Sequence, residues 1–495
     1  MRWHRGPVSQ PRQDTVGTRS DTGFLGQPGV LANLFGVELW ERFSFYGMQG
    51  ILVIYLYYSA AEGGLGIDEG VATGIVGAYG GAVYLSTILG AWLADRLLGP
   101  ERTLFYAAAC VMAGHVALAL LPGLVGVGVG LVLIALGSGG VKANATALVG
   151  SLYDEHDPRR DAGFSLFYMG INIGALIGPL LTGLLQKEIG FHWGFGAAAV
   201  GMALGLTQYA LYRGRLPEET HHVANPLPQG RLVRYAVGAA VVLALIGVLV
   251  WAEVITADRL ADIVIGISLV AAVAYFAVIL SDKQVTGVER SRIFAFIPLF
   301  VCNVVFWSLY QQQFTVVAIY ADKRLDRDLF GWEMPVAWVN SINPVFIIVL
   351  AGVFAAMWTR LGDRQPVTPF KFGAGTALMG VAFFCFLPMP GGENTAPLLG
   401  IVGILLVFTL AELLISPVGL SAATKLAPRK FATQMVALYF LSIALGTALA
   451  GTLAGYYDED AEAPFFIWVG LAAVVTGVVV MLASKPIHKL MAGVD

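Results

Sequence analysis

The sequence predicts an all-α membrane protein of fourteen transmembrane helices, grouped six, two and six, with both termini in the cytoplasm. Three observations carry this. Charged residues make up 13% of the chain against 57% hydrophobic ones, with a mean hydropathy of +0.73, a surface that no water-soluble domain of this length would tolerate. Apolar runs long enough to cross ~30 Å of hydrocarbon recur along the whole chain. Lys and Arg collect in alternate loops, as expected when positive charge is retained inside.

Taken in order, residues 1–28 carry Arg2, Arg5, Arg12 and Arg19 among Pro, Gly, Ser and Gln, with no apolar core that could act as a cleavable signal, and read as a cytoplasmic tail. Six spans follow near 30–58, 70–95, 103–122, 124–150, 162–186 and 192–212, giving an N-terminal bundle over 29–213. Residues 214–292 form a linker holding two further spans, 235–252 and 260–281. They carry no charge in their apolar cores and no motif, so no transport role is assigned to them. A C-terminal bundle over 293–485 holds spans near 293–321, 335–360, 371–390, 397–424, 432–455 and 464–484, and 486–495 is a second tail.

This arrangement puts 23 of the 30 Lys and Arg residues on the cytoplasmic side and two, Arg42 and Lys142, within spans. Only Lys187, Arg259, Lys323, Arg324 and Arg327 fall outside. A missed or invented helix would invert every later loop and erase the bias. Cys110, Cys302 and Cys385 all lie in spans, so no extracellular disulfide framework is implied and a packing role is expected. The 60 glycines suit close helix approach in lipid.

Five ionisable residues interrupt the apolar runs: Glu38, Glu41, Arg42, Lys142 and Glu412. A charge at the bilayer centre costs roughly 2.5–3.5 kcal/mol on insertion scales, so such residues mark a pathway through the membrane. Spacings of three and four put Glu38, Glu41 and Arg42 on one face of the first helix. Two carboxylates beside one guanidinium form a cluster whose charge depends on one proton.

Two six-helix halves around a midplane site are the plan of the major facilitator transporters. Gly90-Ala-Trp-Leu-Ala-Asp95-Arg96-Leu-Leu-Gly99 resembles that superfamily's signature loop, with Asp95 placed to cap a helix start. Glu38-Leu-Trp-Glu41-Arg42-Phe43-Ser-Phe45-Tyr46-Gly47 resembles the ExxERFxYYG motif of the proton-dependent oligopeptide transporter family. Phe164-Ser-Leu-Phe167-Tyr168-Met-Gly-Ile171-Asn172-Ile-Gly174 in the fifth span and Glu412-Leu-Leu-Ile-Ser416-Pro417-Val-Gly419 in the tenth resemble further signatures of that family. Gly137-Ser-Gly139-Gly-Val-Lys142, Trp307 and Asn343-Pro344 also fit, as does the extra helix pair, which is usual in prokaryotic members. The likeness runs from about residue 30 to 485.

The resemblance implies proton-coupled import of di- and tripeptides by alternating access, with protons as the coupling ion and no cofactor. Glu41, with Glu38 and Arg42, takes part in proton coupling. Lys142 pairs with Glu412 across the two halves when the cavity is empty, as a gate and as the site for the peptide termini. Tyr46, Tyr84, Asn172, Tyr310, Gln311, Asn343, Ser416 and Ser442 are expected to bind the peptide through polar groups, and Phe45, Trp307 and Tyr439 to line tolerant apolar pockets.

This chain departs from the common family pattern at Phe45, where many members have Tyr, and at Gln49, where many have Arg. It also has Tyr310-Gln311-Gln312-Gln313 where a seventh-span acid is usual. An Arg and an acid lost together cost little, whereas losing one would strand a buried charge. Proton coupling then rests on the first-span cluster and Glu412. Tyr439 stands where Trp is common, which leaves side-chain preference open.

His115 in the third span is expected to be a neutral residue hydrogen-bonded between helices rather than a proton relay. A carrier of another small solute, such as nitrate or a metabolite, uses the same layout. A membrane-embedded enzyme lacks support, since no metal-ligand cluster, nucleophile elbow or phosphate loop stands at useful spacing. The expected setting is the cell membrane as a multi-pass monomer among lipid, with no nucleic-acid partner.

Overall fold

The computed structural model describes residues 22–154 and 157–494; Arg2, Arg5, Arg12 and Arg19 lie outside these. The described chain is built of helices: α1 Leu31–Tyr57, α2 Glu69–Leu93, α3 Pro100–Leu120, α4 Gly123–Gly150, α5 Arg160–Glu188, α6 Phe191–Tyr212, α7 Gln229–Trp251 and α8 Leu260–Ser281. It continues with α9 Gly287–Tyr310, α10 Val316–Lys323, α11 Ile342–Leu361, α12 Thr368–Phe384, α13 Leu398–Lys425, α14 Ala432–Ala454, α15 Glu462–Leu482 and α16 Ser484–Leu490. A two-residue hairpin, β1 Asp328–Leu329 and β2 Trp332–Glu333, lies between α10 and α11.

Twelve of the described helical segments are long and apolar enough to cross a membrane. Of the remaining long helices, α12 has 17 residues, and α1 has 27 but carries Glu38, Glu41 and Arg42. The helix starts follow local chemistry. The Asp68 carboxylate accepts from the backbone of Gly70 and Val71 at 3.0 and 3.3 Å, and Thr286 with Glu289 forms a capping box before α9. At α3 the expectation fails. Asp95 belongs to a π-helical turn, Ala94–Leu98, and the cap is Gly99 at φ 79°, followed by Pro100 at the first helical position.

The seventh span is not continuous. α9 ends at Tyr310, Gln311–Phe314 form a 3-10 turn, and Thr315, at φ −127° and ψ −100°, redirects the chain into α10. Residues after 485 are not a loose tail, because α16 continues to Leu490 and its end is held to the start of α9. Ser291 Oγ donates to Leu490 O at 2.8 Å, and Arg292 donates to Met491 O at 3.3 Å.

Within the first six helices α1 packs on α5 and α6, α3 on α4 and α2 on α4; within the later set α12 packs on α15 and α13, and α9 on α14. α2 meets α14 and α5 meets α11, joining the two sets. α7 is exposed along its length, but α8 lies against both α2 and α14. The middle pair is therefore more than a tether, since one of its helices covers the seam between the two sets. All three cysteines are free, and Cys110 Sγ donates to Leu133 O at 3.3 Å. His115 is fully buried with neither ring nitrogen hydrogen-bonded, contrary to the expected inter-helix bond, because the α3 face that carries it packs on apolar helix surface and small residues.

Candidate functional site

Glu38, Glu41 and Arg42 fall on one face of α1, and that face is inside the protein. Arg42 Nε lies 2.8 Å from Glu38 Oε1 and 3.1 Å from Glu41 Oε2. Ser138 on α4 donates its hydroxyl to the other Glu41 oxygen at 2.8 Å. None of the four exceeds 2% exposure. Close packing keeps lipid away from these charges. A Cβ on Gly174 of α5 would meet Phe43 N at 2.9 Å and Arg42 Cβ at 3.0 Å, so only glycine lets α5 seal this stretch of α1.

Lys142 lies one turn beyond Ser138 on α4. Its Nζ stands 4.2 Å from the Tyr84 ring centre and 5.6 Å from that of Phe45, while the Arg42 guanidinium is 5.8 Å from the same Phe45 ring. An aromatic row leads away from it. Tyr84 is 6.3 Å from Trp307, and Trp307 is 5.1 Å from Tyr310. At the far end Tyr310 donates its hydroxyl to Glu412 Oε2 at 2.9 Å, and Asn343 Nδ2 reaches the same oxygen at 3.3 Å. Tyr46 joins from α1, stacking on Phe314 at 6.1 Å and meeting Phe45 edge-on at 5.2 Å. Trp307 Nε1 is buried with no hydrogen-bond partner.

The fold thus gathers Glu38, Glu41, Arg42, Phe45, Tyr46, Tyr84, Lys142, Trp307, Tyr310, Asn343 and Glu412 into one chain of contacts. The ion pair expected between Lys142 and Glu412 is not made in this conformation. Each has other partners, Lys142 the rings and Glu412 the Tyr310 and Asn343 donors, with the aromatic row between them. Other expected residues stand apart from this chain of contacts. Asn172 donates to its own helix at Tyr168 O, Gln311 reaches Thr447 Oγ1 at 3.4 Å, and Tyr439 packs on Gly419. Ser442 Oγ accepts from Asn303 at 2.7 Å, and Ser416 Oγ has no partner.

Sequence reasoning missed Ser138, Asn303 and Thr409, the last accepting from Asn343 at 3.0 Å. Ser138 had a signal, since its spacing of four from Lys142 places both on one face of α4. Among the described residues no group of three or more potential metal-ligating side chains occurs. The Lys- and Arg-poor face of the molecule is closed by ion pairs joining the two helix sets, including Lys187 to Glu333 and Lys323 to Glu69. On the opposite face Asp282 receives Lys430 Nζ at 2.5 Å, and that bond holds its carboxyl below the usual range.

A model of the POT family matches residues 101–469. The chain is 42% identical to an uncharacterized transporter, YclF, of Bacillus subtilis, over 95% of this chain and 96% of that one. It is 39% identical to a di-/tripeptide transporter of Lactococcus lactis subsp. cremoris, over 96% and 99% of the two chains. A crystal structure of a variant of peptide transporter POT in complex with alafosfalin superposes with a TM-score of 0.91 at 42% identity, covering 97% of this chain and 100% of the other.

Proposed function

The chain belongs to the POT family, and from that premise we propose that it imports di- and tripeptides together with protons by alternating access. It is a transporter rather than an enzyme, and a multi-pass protein of the cell membrane. The observation that carries the peptide reading is the pair of opposite charges, Lys142 and Glu412, held apart at the two ends of the Tyr84, Trp307 and Tyr310 row. A zwitterionic peptide fits that layout with its carboxylate at Lys142 and its amine at Glu412. The rings between accept varied side chains, with Phe45, Tyr46 and Asn343 beside them, and Asn172, Gln311, Ser416, Tyr439 and Ser442, which stand apart from the row in this conformation, are proposed as further peptide contacts. The names of the relatives and the alafosfalin complex of a close structural neighbour support the same substrate class.

The coupling step is assigned to Glu38, Glu41 and Arg42. Two carboxylates and one guanidinium carry one net negative charge, which a single proton cancels. The cluster communicates with the peptide site through Phe45, which Arg42 and Lys142 both approach. Lys142 and Glu412 act as a gate that closes when the inner ends of the bundles converge and opens when peptide termini replace the pair. A proton entering down ~100 mV releases ~2.3 kcal/mol, enough for roughly 50-fold accumulation of a neutral zwitterion.

The moving bodies are 29–213 and 293–485, rocking about the central site. α1 and α12 span as well, making fourteen crossings with α9 and α10 counted as one, because the charges of α1 face protein and not lipid. Both termini then lie in the cytoplasm, and the Lys- and Arg-poor face is outside. The test is purified protein in liposomes under an imposed inward pH step, with labelled dialanine competed by di- and tripeptides or by nitrate. Accumulation that dipeptides and tripeptides suppress is expected. Absence of driven uptake, or suppression by nitrate alone, overturns the reading.

A further inference from the structure

α7 begins beside the end of α2 and then leaves the bundle. Asn225 N donates to Asp95 O at 3.0 Å and Leu227 N to Arg96 O at 3.2 Å, and the Arg96 guanidinium donates back to Asn225 O at 3.4 Å. These bonds pin the segment before α7 to the turn that follows α2. The Tyr235 ring then meets that of Trp92 at 5.4 Å. Beyond this contact, among the described residues, no helix packs along α7. From Leu232 to Val248 its large apolar side chains are 45–70% exposed, and a Cβ on Gly238 or Gly247 would meet nothing within 4 Å. α8 is seated closely instead, since a Cβ on Gly81 of α2 would stand 2.8 Å from Val264.

A helix that is apolar all round is stable only where every side meets protein or hydrocarbon. Between Tyr235 and Trp251, α7 holds only Ala, Val, Gly, Leu and Ile, and protein does not cover it. The slot it leaves against α2 and α8 is therefore filled by lipid chains rather than by water. The mouth of that slot, at the start of α7, has a different chemistry. Arg231 and Arg234 stand one turn apart on α7 and are exposed, and half-buried Arg96 lies about one turn past Trp92. Arg96 gives its bond to a carbonyl, and among the described residues no ion pair engages Arg231 or Arg234. The adjacent acid is Asp95, itself exposed, so the rim carries three guanidiniums and one carboxylate. Trp92 and Tyr235 are the residue types that settle at headgroup level.

We propose that the slot between α7 and α2 binds an anionic phospholipid, its acyl chains along the apolar wall of α7 and its phosphate at Arg231, Arg234 and Arg96. Guanidinium forks match phosphate oxygens in pairs and keep their charge throughout the physiological range. A basic residue beside an anionic headgroup contributes roughly 5-fold in affinity, so loss of two is worth roughly 25-fold. A free phosphate ion would use the arginines but not the slot. A second copy of the chain would use the slot but not the arginines. The anionic lipid uses both. The proposal rests on α7 crossing the membrane, as the fourteen-span reading has it, and on that orientation the lipid belongs to the inner leaflet. It gives the middle pair a task, because the lipid fills a gap that side chains leave and so holds α7 to the first helix set.

The experiment is tryptophan fluorescence of full-length protein in phosphatidylcholine vesicles that contain a fixed minor fraction of either phosphatidylglycerol or phosphatidylcholine brominated near the headgroup. Quenching owed to Trp92 is the difference between each protein and its Trp92→Phe counterpart. Brominated phosphatidylglycerol is expected to occupy the site at least about 5-fold more than brominated phosphatidylcholine. Arg231→Gln/Arg234→Gln is expected to erase that preference. Arg231→Lys/Arg234→Lys keeps the charge and is expected to retain it, which separates charge from misfolding. Equal quenching by the two lipids in wild type overturns the proposal, as does a preference that survives the Gln pair or is lost in the Lys pair. Displacement of the brominated lipid by dissolved glycerol 3-phosphate would assign the rim to soluble phosphates. Efficient disulfide formation between Val242→Cys residues of two copies, in a background without the native cysteines, would assign the slot to a second chain. Either outcome overturns the proposal. No readout here involves peptide, so failure leaves the transport reading intact, and loss of pH-driven uptake would leave the lipid site standing.

Discussion

Arg42 lies between two carboxylates at 2.8 and 3.1 Å, and Ser138 holds the remaining oxygen of Glu41. A hydroxyl both donates and accepts, so Ser138 can serve Glu41 in either protonation state, whereas Arg42 serves only an anion. Removing the titratable oxygen is therefore expected to leave the site assembled but unresponsive. Glu41→Gln should abolish pH-driven uptake in liposomes and retain peptide exchange at equal pH on the two sides; driven uptake that survives the change would remove Glu41 from coupling. The trio was legible because helical spacing alone puts residues i, i+3 and i+4 on one face. Ser138 was not, since the contact between α1 and α4 links positions 97 residues apart. The same limit applies to His115, whose missing partners depend on which helix packs opposite.

Helix contacts in lipid gain little from hydrophobic collapse, and close approach of small residues has to supply the cohesion. The seam between α2 and α14 illustrates this. A Cβ on Gly77 would stand 2.6 Å from the backbone N and Cα of Gly451, so a side chain there forces the helices apart. Gly77→Leu should destabilise the protein by ~1–3 kcal/mol, the range for overpacking, and lower the melting temperature in detergent. Gly128→Ala, at a glycine with open space around it, should shift stability by less than ~1 kcal/mol. Equal melting shifts for the two would contradict the seam. The break between α9 and α10 has a different basis. Gln312 Nε2 bonds Ser308 O and Ala450 O at 3.3 and 3.1 Å, and Thr315 Oγ1 donates to Gln312 Oε1 at 2.7 Å. Side chains here bond groups left by the interrupted helix and tie the break to α14. The polar Gln311 to Gln313 run was visible in the sequence, but apolar residues on both sides made it read as part of one span.

At the scale of the molecule, the proposed orientation rests on the distribution of Lys and Arg, and the exceptions to that distribution become meaningful in three dimensions. Of the five basic residues assigned to the poor face, Lys187, Lys323, Arg324 and Arg327 all pair with acids there, Arg324 with Glu462 at 2.9 Å. The more exposed of these, Lys187 with Glu333 and Lys323 with Glu69, are worth roughly 0–1 kcal/mol each, whereas Arg324 and Glu462 are only 13% and 15% exposed. The orientation is checked by single cysteines at the exposed loop positions Glu253 and Asn394, and at Gly214 and Asn225 on the opposite face, in a background lacking Cys110, Cys302 and Cys385. In intact cells an impermeant thiol reagent should label only the first two. Labelling of Gly214→Cys or Asn225→Cys from outside would refute the fourteen-span arrangement.

The sequence by itself determined that the chain is a helical membrane protein, where most of its helices run and which face of α1 carries charge. These follow from local rules, because apolar length, helical periodicity and loop charge are properties of neighbouring residues. Tertiary structure alone decided that Ser138 reaches Glu41, that Lys142 and Glu412 stand apart in this conformation, that α8 covers the seam, and that Tyr57 finds Asp322 across 265 positions. Those outcomes depend on which distant helix faces pack together. Periodicity sets each face, but only the packed bundle sets its partner.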